Sequence, residues 1–351
     1  MLTRRAALLG LPWLLSGCPN DQSLVLVGGD TVNAADIDRE PLRLMPTGAL
    51  LLATLDAPSL FQSSAGGDVA RVVQNLLPVG PEAGVVAQRD VKRVWGGVYA
   101  MQGADFLAVV QGQFNVEALQ RAAQARVQTP SGAPLVATRY GSYDIYTVAN
   151  MGFVPLTNQT ILSGNETSMR RALDRLRYGR LTVDLPGWMT DLLAQVTGGA
   201  RVQAAGVPGM PPVATPRNEN AAFALVGDIS REGVVAAASE RLPFLTDLGM
   251  MRVLGNFASP GMNLVGSLTY PGEEQARLGA ERLDDLQKLA YLASLMATWG
   301  FGGRMPEMEV VQQGSSVAFA TKLDTSLVSL MFRMIADLTA QKPATPGFWG
   351  F

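Results

Sequence analysis

The stretch Ala49-Leu50-Leu51-Leu52-Ala53-Thr54-Leu55 is a continuous apolar run of strand length and reads as a buried strand. A second run of the same kind, Ala222 to Ile229, lies in the other half of the chain. Outward from each, one order of elements recurs: strand, helix, strand, helix, strand pair, helix. Leu50 to Asp56 stands beside Phe223 to Ile229, Leu107 to Gln120 beside Leu264 to Leu278, and Thr160 to Leu176 beside Val317 to Phe332. The expected fold is therefore α+β, with two similar halves, each a mostly antiparallel sheet with helices packed on one face. Residue identity between the halves is slight, so the pattern fits a true duplication or two merely similar halves.

The first half spans residues 49–205. Asp68 offers a cap for a helix that Pro78 stops, and strands are expected at Arg93 to Met101 and Asp105 to Gln111. Asn115 caps a helix with Val116, Leu119, Ala122 and Ala123 on one face. Leu135 to Tyr140 and Tyr143 to Val148 read as a hairpin around Gly141-Ser142, and Gln159 to Ser163 as a further strand. Asn165 caps a helix carrying Met169, Ala172, Leu173 and Leu176 that ends near Gly179, and a short helix follows at Pro186 to Val196. Residues 206–220 hold Pro208, Pro211, Pro212 and Pro216 and read as a linker or long loop.

The second half spans 221–340. Ser230 caps an amphipathic helix, Met262 to Thr269 is a strand, and a long helix runs from Glu273 to Thr298. Strands Met308 to Gln312 and Ser316 to Leu323 precede a last helix reaching Ala340. Residues 341–351 form an aromatic tail ending Phe348-Trp349-Gly350-Phe351, read as a membrane or partner contact or as a segment folded back on its own domain.

The N-terminus has the order of a secretory signal: Arg4 and Arg5, then the apolar run Ala6 to Leu15, then small residues before a cysteine. Its apolar run is too short to span a bilayer. Thr3-Arg4-Arg5 also resembles a weak twin-arginine motif, which leaves the export route open between that pathway and Sec. Leu15-Ser16-Gly17-Cys18 resembles the lipobox of bacterial lipoproteins. The resemblance covers the leader alone and assigns the body to no family. It implies that residues 1–17 are a signal peptide and that Cys18 is lipidated on sulfur, becomes the first residue and is acylated on its amine. A membrane held through the lipid anchor is then the first partner. By resemblance to enterobacterial sorting, Pro19 in place of aspartate leaves the outer membrane open. Residues 18–48 then read as lipidated cysteine and tether. Within them Asp36, Asp38 and Glu40 alternate, so an extended backbone would place all three on one solvated face. Pro41 stands where a calcium loop needs glycine.

Composition narrows the chemistry. Removing the leader takes away Arg4 and Arg5 and no acid, which moves the formal net charge from −2 to −4. That balance argues against nucleic acid. The single cysteine is taken by lipid, so the folded body carries no thiol or disulfide, and the chain has no histidine, the usual general base and zinc ligand. No G-x-S-x-G elbow, S-x-x-K, Walker loop or G-x-G-x-x-G occurs. No cofactor, metal or catalytic residue is therefore expected.

Three weaker signals remain. Lys322 follows Ser315 and Ser316 in a strand pattern and reads as a surface lysine. The pairs Glu273-Glu274 and Asp284-Asp285 read as a helix N-terminus and a solvated face. Leu289, Tyr291, Leu292, Leu295, Met296 and Trp299 form an apolar stripe, read as core or, with Met250, Met251, Met331 and Met334, as the lining of an acyl-chain groove. The expected function is a membrane-anchored, non-catalytic binding or assembly module with an envelope protein partner. A carrier of lipid or another apolar ligand is the alternative, and a hydrolase ranks last.

Overall fold

The computed structural model describes residues 23–27, 31–70, 80–100, 105–127, 134–148, 151–197, 221–230, 243–297 and 307–340. Strands β1 (Ser23–Val25) and β2 (Thr31–Asn33) form a small hairpin. Twelve more strands build one antiparallel sheet. They are β3 (Leu51–Asp56), β4 (Val91–Ala100), β5 (Asp105–Gly112), β6 (Val136–Tyr140), β7 (Tyr143–Val148), β8 (Met151–Pro155), β9 (Thr160–Asn165), β10 (Phe223–Asp228), β11 (Met250–Asn256), β12 (Gly261–Thr269), β13 (Glu307–Gln313) and β14 (Ser316–Asp324), in the order β13-β14-β12-β11-β10-β3-β4-β5-β9-β8-β7-β6.

The two apolar runs that suggest two halves are neighbours at the middle of this sheet: β3 pairs with β10, Leu55 opposite Phe223 and Leu51 opposite Gly227. From that seam the order of strands is mirrored. One side runs β3-β4-β5 and then crosses to β9 and β8; the other runs β10-β11-β12 and then crosses to β14 and β13. The hairpin of β6 and β7 is an addition to the first side. The α+β class holds, with a single sheet shared by both halves.

Helices fill both faces, which is wider than the one-face packing expected. The described ones are α1 (Ala34–Arg39), α2 (Ala57–Phe61), α3 (Ala87–Asp90), α4 (Val116–Gln124), α5 (Glu166–Arg177), α6 (Gly187–Thr197), α7 (Glu273–Ala297) and α8 (Thr325–Ala340). Alternation along each strand sends Leu52, Trp95, Leu107, Leu162, Val226 and Leu254 to one face, where α1, α5 and α6 cover them with Ile37, Leu173 and Leu192. The opposite face sends Val110 and Ile161 against α4, and Val317 and Phe319 against α7. At the end of β14, Leu323 meets Leu327 and Val328 of α8.

Two expectations are corrected. Residues 31–48 are part of the fold and not a tether: Ile37, Leu44 and Met45 are essentially fully buried in the main core. The would-be Cβ of Gly97 lies 2.7 Å from the Met45 methyl, so the flexible end of Met45 packs directly over the glycine in the sheet. The carboxylates of Asp36, Asp38 and Glu40 also do not share a face, because Asn33 caps α1 and the backbone there is helical. The strands at β8 and β11 were not legible in the sequence. Cys18, residues 206–220, the aromatic tail and the helix expected after Ser230 lie outside the described residues.

Candidate functional site

The richest cluster of polar groups is built on α5. Asn165 caps it by accepting from the Ser168 amide at 3.3 Å, and Met169, Ala172, Leu173 and Leu176 are buried at helical spacing. The opposite face therefore presents Arg170, Asp174 and Arg177, with Arg171 and Arg175 at its flanks. Arg175 and Arg177 also sit in the last turn, where cations complement the helix C-terminus. Gly179 follows with φ of 66°, the left-handed conformation that ends helices.

Each arginine has a specific neighbour. Arg170 pairs with Glu166 at 2.5 Å, and Arg177 with Asp174 at 3.3 Å. The Tyr140 hydroxyl donates to both Asp174 oxygens at 2.9 and 3.0 Å, while Arg170 and Arg177 lie 4.8 and 5.1 Å from its ring centre. Desolvation first, and then the bond to Asp174, raise the Tyr140 pKa. Deeper in, Arg171 pairs with Asp105, Ser168 donates to the same carboxylate, and Arg171 lies 4.8 Å from the Tyr99 ring centre. The Tyr99 hydroxyl is buried without a hydrogen-bond partner, and burial raises its pKa strongly.

Arg175 is a strap. It donates to the carbonyls of Thr182 and Arg43, at 2.5 and 3.3 Å, and pairs with Asp184 at 3.2 Å. Those contacts fix residues 180–184 and the turn at Pro41–Leu44 (η1) against the helix. The Thr182 hydroxyl and Arg175 together lower the Asp184 pKa. The cluster joins charge to aromatic surface. Five arginines between residues 170 and 180 were its signal in the sequence.

Around it lies exposed apolar surface. Tyr178 is 56% exposed, Val27 53% and Val183 41%. Val27 donates its amide to the Arg177 carbonyl at 2.7 Å, which joins the β1–β2 hairpin to the end of α5.

The other sequence candidates fall elsewhere. Asp38 accepts from the Thr157 and Thr160 hydroxyls at 2.7 and 2.6 Å, and its carbonyl accepts from Gln111. It fastens α1 to the sheet. Asp36 and Glu40 pair locally with Arg39 and Arg43. Glu274 binds Arg277, which lowers its pKa, in the first turns of α7. Lys322 sits opposite Glu307 and Asn263 in the sheet, and Ser316 is six residues away along the strand, about 20 Å. Met250 and Met251 begin β11. The side chains of Leu289 to Met296, Met331 and Met334 lie outside the described residues, as does Trp299.

An open hollow of about 590 Å³ is lined by Gln113, Phe114, Asn115, Val116, Glu117, Asn158 and Gln159. Its lining is mostly polar, and Asn115 is already engaged as the cap of α4. Among the described residues no cluster of three or more metal-ligating side chains occurs, and no helix is long and apolar enough to cross a membrane.

No family model matches the chain, and no curated protein matches it. Among solved structures it is similar to crystal form III of TP0453, with a TM-score of 0.50 and 10% identity, covering 84% of this chain and 97% of that one. Form I gives 0.49 and 9%, covering 84% and 96%. At such low identity the likeness to form III speaks to the α+β fold alone.

Proposed function

We propose that this chain is a lipid-anchored protein of the bacterial envelope, held at Cys18, that works as a non-catalytic binding and assembly module and receives an envelope protein partner along β13. The anchor reading rests on Leu15-Ser16-Gly17-Cys18, and the outer membrane is favoured over the inner because, by resemblance to enterobacterial sorting, Pro19 and not aspartate follows the cysteine.

The observation that supports the binding reading is one of the two free edges of the sheet, the other being β6. β13 pairs with β14 over all seven of its residues and has no outer neighbour among the described residues. Edges of this kind are usually blunted by lysine, proline or a bulge. β13 has no lysine, proline or bulge, carries Glu307 and Glu309, and leaves Val311 40% exposed. An extended segment of a partner would extend the sheet, with backbone hydrogen bonds supplying affinity.

The test is photo-crosslinking in cells from Val311, with Val116 on α4 as the comparison site. A discrete adduct is expected from Val311, lost when Val310→Pro disrupts the edge. Equal labelling from both positions, or none from Val311, contradicts the reading. Globomycin should leave the unprocessed precursor.

A further inference from the structure

The anchor would not leave the body free above the membrane. Ser23 already belongs to β1, so only four residues lie between it and Cys18, five residue steps with a reach of at most about 18 Å. Leu24 packs on the main core and Leu26 lies against Gly179 at the end of α5. Whatever holds Cys18 therefore holds the β1–β2 hairpin and the end of α5 near the same surface.

The chemistry of that end matches a lipid interface. Of the five large apolar residues exposed on the described surface, Val27, Tyr178 and Val183 gather here. Arg177 and Arg180 lie 5.8 and 5.9 Å from the Tyr178 ring centre. Of the five arginines in residues 170–180, Arg170, Arg171, Arg175 and Arg177 pair with Glu166, Asp105, Asp184 and Asp174, and Arg180, beside Tyr178, forms no ion pair among the described residues. Tyrosine prefers the headgroup level, and arginine binds phosphate with a planar fork of donors.

We infer that the surface formed by Val27, Tyr178 and Val183 with Arg180 rests on an anionic phospholipid leaflet, so that the lipid anchor and this surface together fix the orientation of the body. This rests on the anchor proposed above. Tyr140 ties the end of β6 to α5 through Asp174, so the docked surface lies at the β6 end of the sheet. The β13 edge lies at the other end of the sheet, eleven strand spacings or about 50 Å measured along it, where it stays open to a partner.

The test uses the full-length lipoprotein in vesicles of phosphatidylethanolamine and phosphatidylglycerol with brominated acyl chains. Lipidation consumes the sulfur of Cys18, the chain's only cysteine, so Tyr178→Cys creates a unique labelling site for an environment-sensitive fluorophore. Quenching is expected at position 178 and, in separate proteins, at Val27→Cys, but not at Val311→Cys. Arg180→Gln should lower the docked-to-undocked ratio about five-fold. Protein that floats with the vesicles but shows no more quenching at 178 than at 311 overturns the inference and leaves the anchor standing. Equal quenching in phosphatidylcholine vesicles overturns the anionic partner. Failure to float, with Cys18 itself labelled, overturns the anchor and this inference together.

Discussion

Leu52 of β3 lies opposite Val226 of β10, and both side chains are buried in one core at the seam of the sheet. The residues that make the halves look separate in sequence are the residues that join them.

Because the seam is internal to one sheet, a cavity there should weaken both sides together. Leu52→Ala is expected to cost about 2–5 kcal/mol. Hydrogen exchange should show protection falling in β4 and β12 alike; loss confined to β4 would mean that the halves unfold independently.

Asp38 is the fastener of the N-terminal segment. Asp38→Ala leaves the Thr157 and Thr160 hydroxyls without their acceptor and should cost about 1–3 kcal/mol. Limited proteolysis should then cut first within residues 31–48. An unchanged cleavage pattern would show that burial of Ile37 and Leu44 suffices alone.

These two cases show what the sequence carries. Apolar runs, caps and helical stripes marked the strand at Leu51, the hairpin at Gly141 and the helix after Asn165, because each signal is local. The pairing of β3 with β10 was not legible, since alternation reports which face a residue takes and not which strand lies beside it. Residues 31–48 looked like a tether because Ile37, Leu44 and Met45 are spread among polar residues. β11 was hidden by Arg252 and Gly255 in its middle. The α5 cluster was overlooked because Asp105 and Tyr140, which give its arginines their roles, come from distant strands.

Stability should be flat around neutral pH, because the chain has no histidine. Burial raises the pKa of Tyr99, Tyr143, Tyr146 and Tyr270 in the folded state. Groups with raised folded values contribute fully below their unfolded pKa, so this stability is lost as pH climbs above about 10. Asp90 and Asp184, whose folded values are lowered, contribute above their unfolded pKa and lose that contribution as pH falls through the acid range. Denaturation midpoints measured across pH should trace a plateau with both limbs; a step near pH 6.5 would contradict this.

Tyr99→Phe removes a buried hydroxyl that has no partner. It should leave stability at pH 7 unchanged or slightly higher and shift alkaline unfolding to higher pH. A loss above about 1 kcal/mol at pH 7 would mean that the hydroxyl is hydrogen-bonded.

The central claim is that the chain is an envelope lipoprotein anchored at Cys18. Intact-mass analysis of protein extracted from membranes tests it most directly. The account predicts a chain beginning at Cys18 and heavier than its sequence by a diacylglyceryl group and an amide-linked acyl chain, with Cys18→Ala absent from the membrane fraction. A membrane-bound chain of unmodified mass, or a Cys18→Ala protein retained as well as the parent, would contradict it.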